Sequence, residues 1–407
     1  MLRRAAEVTL PLESHDSNSA ERRNLSTVRK FLRPIRAYTR AALASSDVGR
    51  EILLMYYGQS PRATPRNEVA RLTNAVGADS GTTVRIVYDN RVSPPTYGDL
   101  FIVIMLGRWL ALEGRGVEFV IVDTPERRGD WDDLNRNQQE AFVQDQVGLA
   151  RSLLPANTSV HLVHSLGEPE NPHAREHQFT LYEDHVSRSQ PIYNLAPRLL
   201  RELARSRRLE LPLGYLLSPE TIDAQAQTAK HRQRYIAWHI RKAHWEAARD
   251  STDSDIESDF VQLRTLFPHH DIVILSSAEG IRHAIEVLSR TELMSAQRDT
   301  NTQVFGQPQS GFLAAVSWAA AADFYFQRRG GGVGAVPTFT SVPYLQVSGD
   351  PQGLGIWGCR RGKLVPWAAP DQVFAFRPNP ADSPQIAALL NEPLRRRIEQ
   401  LAKPSSV

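Results

Sequence analysis

The sequence predicts an α/β protein with two domains in tandem, each built on a parallel sheet. Two observations support this fold class. From residue 84 onward, short runs rich in β-branched residues alternate with segments of helical length, which is the order of β-α-β units with right-handed crossovers. The 407 residues are enough for two or three domains. We therefore expect two α/β domains behind a different N-terminal segment.

The composition excludes several classes of protein. Hydrophobic residues make up 41% and charged residues 23% of the chain, so it can bury a core and is not globally disordered. The 48 Lys and Arg residues against 45 Asp and Glu give a net charge of +3. This balance lacks the single-signed field of a dedicated nucleic-acid binder. The single Cys359 excludes a disulfide framework and a cysteine zinc site.

Two segments bear on membranes. The longest apolar run, Leu100 to Leu112, contains Arg108 and is about 13 residues long, too short to span a bilayer as a helix. The N-terminus has no continuous apolar core of a signal peptide, so we expect a cytoplasmic protein. Residues 26–46 form a basic amphipathic stretch interrupted at Pro34. It either lies on an anionic membrane surface or packs on the main body.

Residues 1–80 are predicted to form a basic extension that is mostly helical or loop-rich, and the first α/β domain spans residues 81–212. Its first strand, Val84 to Tyr88, leads into a turn-rich loop with Pro94 and Pro95. Asp99 is expected to cap a helix that begins at Leu100. The remaining predicted elements are strands at 117–123 and 159–165 and helices at 135–154 and 192–207.

The second α/β domain is predicted at residues 213–380, followed by a C-terminal segment at 381–407. That segment should form a helix over 383–401, broken near Pro393 and crossing back to the first domain. The other predicted elements are strands at 235–241, 271–277 and 343–347 and helices at 251–266, 278–290 and 311–326.

Ligands of open parallel sheets bind beyond the carboxyl ends of the strands, so the strand exits are the places to search. The exit at His239 to Trp245 is the most informative. Alternation puts His239 and Arg241 on one face at the end of their strand. A guanidinium there can grip a diphosphate with two parallel hydrogen bonds. The alternative is an ion pair between Arg241 and an acidic neighbour such as Glu246.

The run YIAWHIRKAHW, an acidic helix and then LRTLFPHHDIVILSSAEG resemble the donor domain of GT-B glycosyltransferases of the fucosyltransferase type. In that family a strand ending in His-x-Arg precedes a helix and a Phe-Pro strand segment. PTYGDLFIVIMLGRWLALEGRGVEFVIVD is similar to the first β-α-β unit of many GT-B acceptor domains. The chain departs from the family pattern at Lys242 and His244, which stand where a second arginine and an acidic residue are usual.

The resemblance implies two Rossmann-like domains facing a cleft, with the acceptor domain first and the donor domain second. It implies an inverting glycosyltransferase that needs no metal or cofactor and moves a sugar, with fucose suggested, from a nucleotide-sugar such as a GDP-sugar to a glycan. Arg241 would hold the diphosphate and offset the charge growing on the leaving nucleotide, and His239 would orient the donor. The other implied donor contacts are Ser276, Ser277, Glu279, Gly331, Gly332 and Val333.

On the acceptor side, an inverting transfer needs a base for the proton of the attacking hydroxyl. Asp99 is our candidate because similar Gly-Asp segments open the first helix of related enzymes. Its alternative role is helix capping. Arg91 and Tyr97, in the same strand exit, are predicted to contact the acceptor. Ser276 and Ser277 have the same alternative as Asp99, because either serine can cap the next helix.

Other patterns give weaker predictions. The glycine cluster at 330–334 lacks the Lys-Ser/Thr of a phosphate-binding Walker loop, so a plain flexible loop is the alternative. Asp130 and Asp132 have the Asp-x-Asp spacing of metal-dependent transferases. Asp253-Ser254-Asp255 has it too, but is typical of a helix start. His173 and His177 are four apart, but they lack the glutamate of a His-Glu-x-x-His zinc motif and most such pairs are surface residues. A non-catalytic binding or scaffold protein of the same architecture is the remaining alternative.

Overall fold

The computed structural model describes residues 83–91, 93, 95–125, 127, 131–132, 134–165, 178–180, 196–205, 213–218, 234–242, 250–291, 293, 304–306, 312–329, 332–348, 362–376 and 385–403. The predicted N-terminal extension, the histidines at 173 and 177 and Cys359 lie outside these ranges.

The first sheet has four strands, all parallel, in the order β3-β2-β1-β4. Between β1 and β2 two buried charges form a cross-strand ion pair, with Arg85 Nε 3.2 Å from Glu118. The elements of this half are β1 Thr83–Asp89, α1 Tyr97–Leu112, β2 Gly116–Val122, α2 Arg136–Leu153, β3 Ser159–Val163, β4 Gln178–Thr180 and α3 Ala196–Arg205.

The second sheet has six parallel strands in the order β10-β9-β8-β5-β6-β7. After β5 the chain adds β6 and then β7 on one side of it. It then returns to form β8 on the other side of β5 and adds β9 and β10 beyond β8. The sheet therefore has its topological switch point between β5 and β8. Its elements are β5 Tyr235–His239, α4 Asp253–Leu266, β6 Asp271–Leu275, α5 Ala278–Arg290, β7 Val304–Gly306, α6 Phe312–Ala320, β8 Phe324–Arg328, β9 Tyr344–Ser348, β10 Gln372–Phe376, α7 Ile386–Leu389 and α8 Glu392–Leu401.

These two parallel sheets with their helices confirm the α/β fold class, but the predicted helix at 311–326 is wrong in its second half. The helix α6 ends at Ala320, and residues 324–328 form β8 beside β5 in the middle of the sheet. All five residues of β8 are buried. A strand covered on both faces has a continuous apolar sequence without alternation, so it reads as an extension of the preceding alanine-rich helix. Strands β4, β7 and β10 were likewise not predicted.

One apolar core extends through both halves of the protein. Helix α1 is buried along almost its whole length and packs on the first sheet, on α2 and α3, and on a 3₁₀ segment, Gly332–Phe339, that follows β8. Phe101 of α1 meets Phe339 of that segment edge-on, with ring centroids 5.8 Å apart. We call this apolar cluster the shared core. The two halves are therefore joined by buried side chains as well as by the chain itself.

A buried arginine fixes α1 within the shared core. Arg108 donates from Nε to the Leu216 carbonyl at 2.7 Å and from a second nitrogen to the Leu153 carbonyl. Burial lowers the pKa of Arg108, and the two carbonyls supply acceptors that an otherwise unsolvated cation needs. Leu216 lies in the connection between the two halves, so Arg108 binds that connection to the first half.

In the described part of the chain, no helix has the length and apolar character needed to cross a membrane.

A second apolar cluster, the outer core, covers the opposite face of the second sheet. It contains the inner sides of α4, α5, α7 and α8. Ile386 of α7 donates its backbone N–H to Gln262 of α4. The C-terminal helices therefore pack on the second half. The prediction that they cross back to the first domain is wrong. The break near Pro393 is present, because a proline is accepted in the first turn of a helix but not in its interior.

The start of α4 settles one acidic motif. Thr252 and Asp255 form a capping box, in which each side chain accepts a hydrogen bond from the backbone of the other residue. Asp253 binds Arg290 of α5 at 2.7 Å. Asp253 and Asp255 are thus occupied at a helix start, as the alternative interpretation of this Asp-x-Asp sequence predicted.

A buried ion pair connects β8 to α4. Arg328 reaches both carboxylate oxygens of Asp259 at 2.6 to 2.9 Å, and the two side chains are only 7% and 3% exposed. A fork of this kind satisfies both charges where water cannot. Removing one partner leaves the other charge buried and uncompensated.

We therefore expect Asp259→Leu to lower the free energy of unfolding by about 3–5 kcal/mol, measured by urea denaturation. The double variant Asp259→Leu/Arg328→Leu should recover a large part of that loss, because no lone charge remains. Breaking the exposed pair of Arg396 and Glu392 by Arg396→Ala should change little. A single variant as stable as the wild type would contradict a structural role for the buried pair.

Candidate functional site

The carboxyl edges of the two sheets meet at a pair of glycines. Gly98 lies in the first turn of α1, just beyond β1, and Gly332 opens the 3₁₀ segment just beyond β8. A Cβ on Gly98 would lie 2.7 Å from the Gly332 Cα, and a Cβ on Gly332 would lie 3.0 Å from the Gly98 nitrogen. The start of α1 is thereby set directly against the switch-point side of the second sheet.

Aromatic side chains fill the space beside the glycine pair. The Tyr97 ring stacks on Phe312 of α6 at 5.2 Å and lies 4.4 Å from the Phe142 ring. Its hydroxyl donates to Asp145 at 2.8 Å. Burial and this carboxylate raise the pKa of the Tyr97 hydroxyl above its usual value, so the hydroxyl stays a donor. Tyr97, predicted as an acceptor contact, here joins the two halves.

Asp99 occupies the third position of α1 rather than the cap, because the helix begins three residues earlier than predicted. Its carboxylate is partly exposed and accepts a hydrogen bond from the Thr96 hydroxyl at 2.6 Å. A carboxylate in the first turn is stabilised by the free N–H groups at that end of the helix. Asp99 thus lies next to the glycine contact while also supporting the start of the helix.

Arg91 is anchored at the end of β1. Its guanidinium forms a fork with the buried Asp89 carboxylate, at 3.0 Å from Nε and 2.6 Å from the terminal nitrogen, and its side chain is 43% exposed. Beside it, Asn90 and Gln146 exchange two amide hydrogen bonds. The predicted acceptor contact therefore lies at the carboxyl edge of the first sheet, with its charge balanced by Asp89.

His239 is the last residue of β5, and Arg241 follows two residues later. Alternate residues of β5 divide between the two cores: Tyr235 and Ala237 belong to the shared core, whereas Ile236, Trp238 and Ile240 belong to the outer core. The same alternation places His239 on the shared-core face, and because β5 ends at His239 the placement of Arg241 on that face stays a prediction. Glu246, the alternative partner of Arg241, lies outside the described residues.

His239 is a buried neutral base at the switch point. It is 6% exposed, and its Nδ1 finds no hydrogen-bond partner among the described residues. Burial, together with the neighbouring Arg241 cation, lowers its pKa to about 3. Arg241 is partly exposed and its backbone pairs with Ser251, whose N–H donates to the Arg241 carbonyl at 3.0 Å. The end of β5 thus presents a cation beside an uncharged imidazole.

Three of the predicted donor contacts, Ser276, Ser277 and Glu279, lie at the exit of β6 and the start of α5. A Cβ on Gly280 would fall 1.9 Å from Ser276 Oγ and 3.1 Å from Lys242 Cβ, so these three residues converge at the start of α5. Ser277 caps this helix by accepting from the Gly280 N–H at 3.1 Å, which was its alternative role. Glu279 is in the first turn. The sequence analysis did not predict that Lys242 and Gly280 meet at this point, because they belong to different elements.

The glycine cluster is partly described. Gly331 lies outside the described residues, Gly332 is exposed, and Val333 is 8% exposed within the shared core. Gly334 makes room for Gln327, whose Oε1 would lie 2.2 Å from a Cβ on this glycine. The cluster is therefore followed by a packed 3₁₀ turn rather than by an open loop.

The arginines before the glycine cluster are held by carboxylates. Arg328 is buried with Asp259, and Arg329 binds Asp255 at 3.0 Å with a positive φ of 71°. Among the described residues, no group of three or more His, Cys, Asp or Glu could hold a metal ion. Asp132 is exposed, and Asp130 lies outside the described residues.

No family model and no curated protein matches this sequence. Several solved structures are similar to it. They include the heptosyltransferase WaaC of E. coli with ADP (13% identity, TM-score 0.39, covering 79% of this chain and 100% of that one) and a glycosyl transferase of family 9 from Veillonella parvula (10% identity, TM-score 0.38, covering 80% and 98%). The fucosyltransferase NodZ from Bradyrhizobium is also similar (13% identity, TM-score 0.23, covering 60% and 88%).

The glycine pair gives a direct test of the contact between the halves. Gly98→Ala should destabilise the protein by about 1–3 kcal/mol, because the new methyl group meets backbone rather than a movable side chain. Thermal and urea unfolding measure the effect. Gly148→Ala is the matched control: it lies in α2 with no atom within 4 Å of the added Cβ, and alanine should stabilise the helix there. Equal stability of Gly98→Ala and wild type would contradict the contact.

The neutral state of His239 predicts a pH dependence. Its pKa falls from 6.5 to about 3 on folding, so below pH 6.5 the unfolded chain binds a proton that the folded protein refuses. Stability should therefore decrease as the pH falls from 6.5 towards 3. At pH 5 this contribution is about 2 kcal/mol. His239→Gln should remove that part of the slope in urea unfolding, whereas His269→Gln, at an exposed turn, should keep it.

Proposed function

We propose that the protein is a glycosyltransferase that moves a sugar from a nucleotide-sugar to a hydroxyl group of a glycan, with inversion and without a metal. The observation that carries this proposal is the contact of Gly98 with Gly332. It sets the carboxyl edge of the first sheet, with Asp99, against the switch point of the second, with His239 and Arg241. A ligand position at the switch point and a base across from it are what a two-substrate transfer needs.

Arg241 is assigned to the donor diphosphate. A guanidinium binds two phosphate oxygens at once, and at the end of β5 it is partly withdrawn from water, which strengthens its charge interactions. As the bond between the anomeric carbon and the phosphate oxygen breaks, the electron pair stays on the leaving nucleotide. Arg241 offsets that negative charge. His239, held neutral, adds a hydrogen bond to the phosphate or the sugar without adding charge.

Asp99 is assigned as the base. The acceptor hydroxyl oxygen attacks the anomeric carbon from the side opposite the nucleotide, and its proton passes to the Asp99 carboxylate. The carboxylate is partly exposed and lies in the first turn of α1. Arg91, on the same edge, would contact the acceptor. The resemblance to fucosyltransferases suggests GDP-fucose as the donor, and the solved heptosyltransferase with ADP makes ADP-sugars the second donor class to test.

The proposal is tested by calorimetric titration of GDP, ADP and UDP, with and without EDTA. One of these nucleotides should bind in the presence of EDTA, and Arg241→Ala should weaken it about tenfold or more. Arg241→Lys should recover only part of the affinity, because lysine lacks the fork. Arg395→Ala, at an exposed position of α8, is the control. Absence of nucleotide binding would reject the proposal, and a requirement for Mg²⁺ or Mn²⁺ would favour the alternative site at Asp130 and Asp132.

A non-catalytic binding protein of this architecture is the second candidate, favoured by the hydrogen bond that Asp99 accepts from Thr96, since that bond supports the helix alone. Asp99→Asn separates the two. If Asp99 is the base, sugar transfer should fall about 10²- to 10⁴-fold while nucleotide affinity stays within twofold. A wild-type protein that binds the nucleotide but transfers no sugar to any glycan of an acceptor panel is the result expected of the second candidate.

A further inference from the structure

Three buried glutamines lie on the shared-core face of the second sheet, on neighbouring strands. Gln327 of β8 and Gln346 of β9 are direct partners in the strand pairing, and Gln372 begins β10 beside them. They are 4%, 5% and 2% exposed. A buried amide costs free energy unless it is hydrogen-bonded, whereas a leucine would fill the same space without that cost. The partners of these amides therefore indicate what the glutamines do.

Gln327 holds the chain just before the glycine cluster. Its Nε2 donates to the Arg329 carbonyl at 3.1 Å, and its Oε1 accepts from the Tyr325 hydroxyl at 2.8 Å. Arg329 is also bound through its backbone N–H, which donates to the Val347 carbonyl of β9 at 2.8 Å. The chain therefore leaves β8 in a fixed direction.

Gln346 holds the chain again just after the glycine cluster begins to turn. Its Nε2 donates to the Gly334 carbonyl. The same glycine lies directly on the amide group of Gln327, because a Cβ at position 334 would be 2.2 Å from Oε1 and 2.7 Å from Nε2 of that side chain. Both glutamines thus reach the 3₁₀ segment at Gly334, where the absence of a side chain makes room for them.

The two points held by these glutamines flank Gly332. This residue lies between the bound carbonyls of Arg329 and Gly334, and its Cα is the atom that a Cβ on Gly98 would meet at 2.7 Å. Asp99 follows Gly98 in the first turn of α1. Any movement of Gly332 would therefore change the surface on which the start of α1 rests.

Gln372 offers a comparison within the same sheet. Its Nε2 donates to the carbonyls of Thr340 and Val342, at 2.9 Å each, and lies 3.3 Å from that of Pro337. These acceptors are near the end of the 3₁₀ segment or beyond it. Gln372 therefore satisfies the backbone of the turn that leads into β9 without reaching the neighbourhood of Gly332.

From these contacts we propose that Gln327 and Gln346 are positioning residues for sugar transfer. They act through Gly332, whose place against Gly98 sets the distance between the Asp99 carboxylate and the switch point of the second sheet. The inference rests on the proposed function, which assigns Asp99 as the base. Because a transfer is sensitive to small displacements of its reacting groups, losing one of these hydrogen bonds should lower turnover more than nucleotide binding.

The test compares Gln346→Leu with Gln372→Leu in the full-length protein. Both changes remove a buried amide from the same face, so both should lower stability in urea unfolding. Gln346→Leu should lower kcat for sugar transfer about tenfold to a hundredfold, with nucleotide affinity and the kcat of Gln372→Leu both within about twofold of wild type. Equal losses of kcat in the two variants would overturn the positioning role. Gln346→Met replaces the leucine variant if that does not fold.

Gln346→Glu gives a second readout, because glutamate has nearly the same shape as glutamine. An ionised carboxylate would face the Gly334 carbonyl oxygen without a proton to donate, and burial raises the pKa of such a carboxyl group. Once protonated, the group donates its O–H as the amide does. The ratio of variant to wild-type turnover should therefore rise as the pH falls. A ratio that is independent of pH would contradict the proposal.

Hydrogen exchange separates failure of this inference from failure of the proposed function. If the wild-type protein transfers no sugar, the proposed function is rejected, but the backbone amides of Gly332 and its neighbours can still be measured by mass spectrometry. They should exchange faster in Gln346→Leu than in Gln372→Leu or the wild type, because the bound carbonyl of Gly334 has been released. Unchanged exchange would overturn the positioning role at any level of activity.

Discussion

The burial of α1 between the two sheets is the constraint on which the rest of the structure depends. A helix that is apolar around nearly its whole circumference must be covered on all sides, and one sheet covers only one of them. The remaining sides are covered by α2 and α3 of the first half and by the 3₁₀ segment of the second half, with Phe312 at the start of α6 against Tyr97 and Phe101. The closeness of the halves, the position of Asp99 and the glycine contact all follow from this packing.

The sequence predicts the parts of this fold whose pattern is local. Strand β5 is a short apolar run that ends in polar residues, and α5 begins with a capping serine, so both were found with nearly correct limits. β8 was missed because it is central, and a central strand of a parallel sheet lacks the alternation that distinguishes a strand from a short buried helix. Without β8, the switch point between β5 and β8 could not be located from the sequence.

The candidate site was predictable in its residues but not in its grouping. Lys242 lies shortly beyond the end of β5 and approaches Gly280 of α5, a contact that spacing within the strand exit does not predict. Tyr97 is a second example: a tyrosine in a strand exit is a reasonable ligand contact, but its ring is taken up by Phe312, more than 200 residues away. Such long-range packing leaves no mark in the local pattern.

The shared core also limits how the protein can be divided. The connection at Leu213 to Leu217 resembles a domain boundary in sequence, and both sheets are complete on their own sides of it. A fragment cut there would nevertheless leave the outer side of α1 bare, and the Arg108 side chain would lose the Leu216 carbonyl. The two halves are thus separate in topology, but each covers apolar surface of the other. Separating them would expose that surface to water.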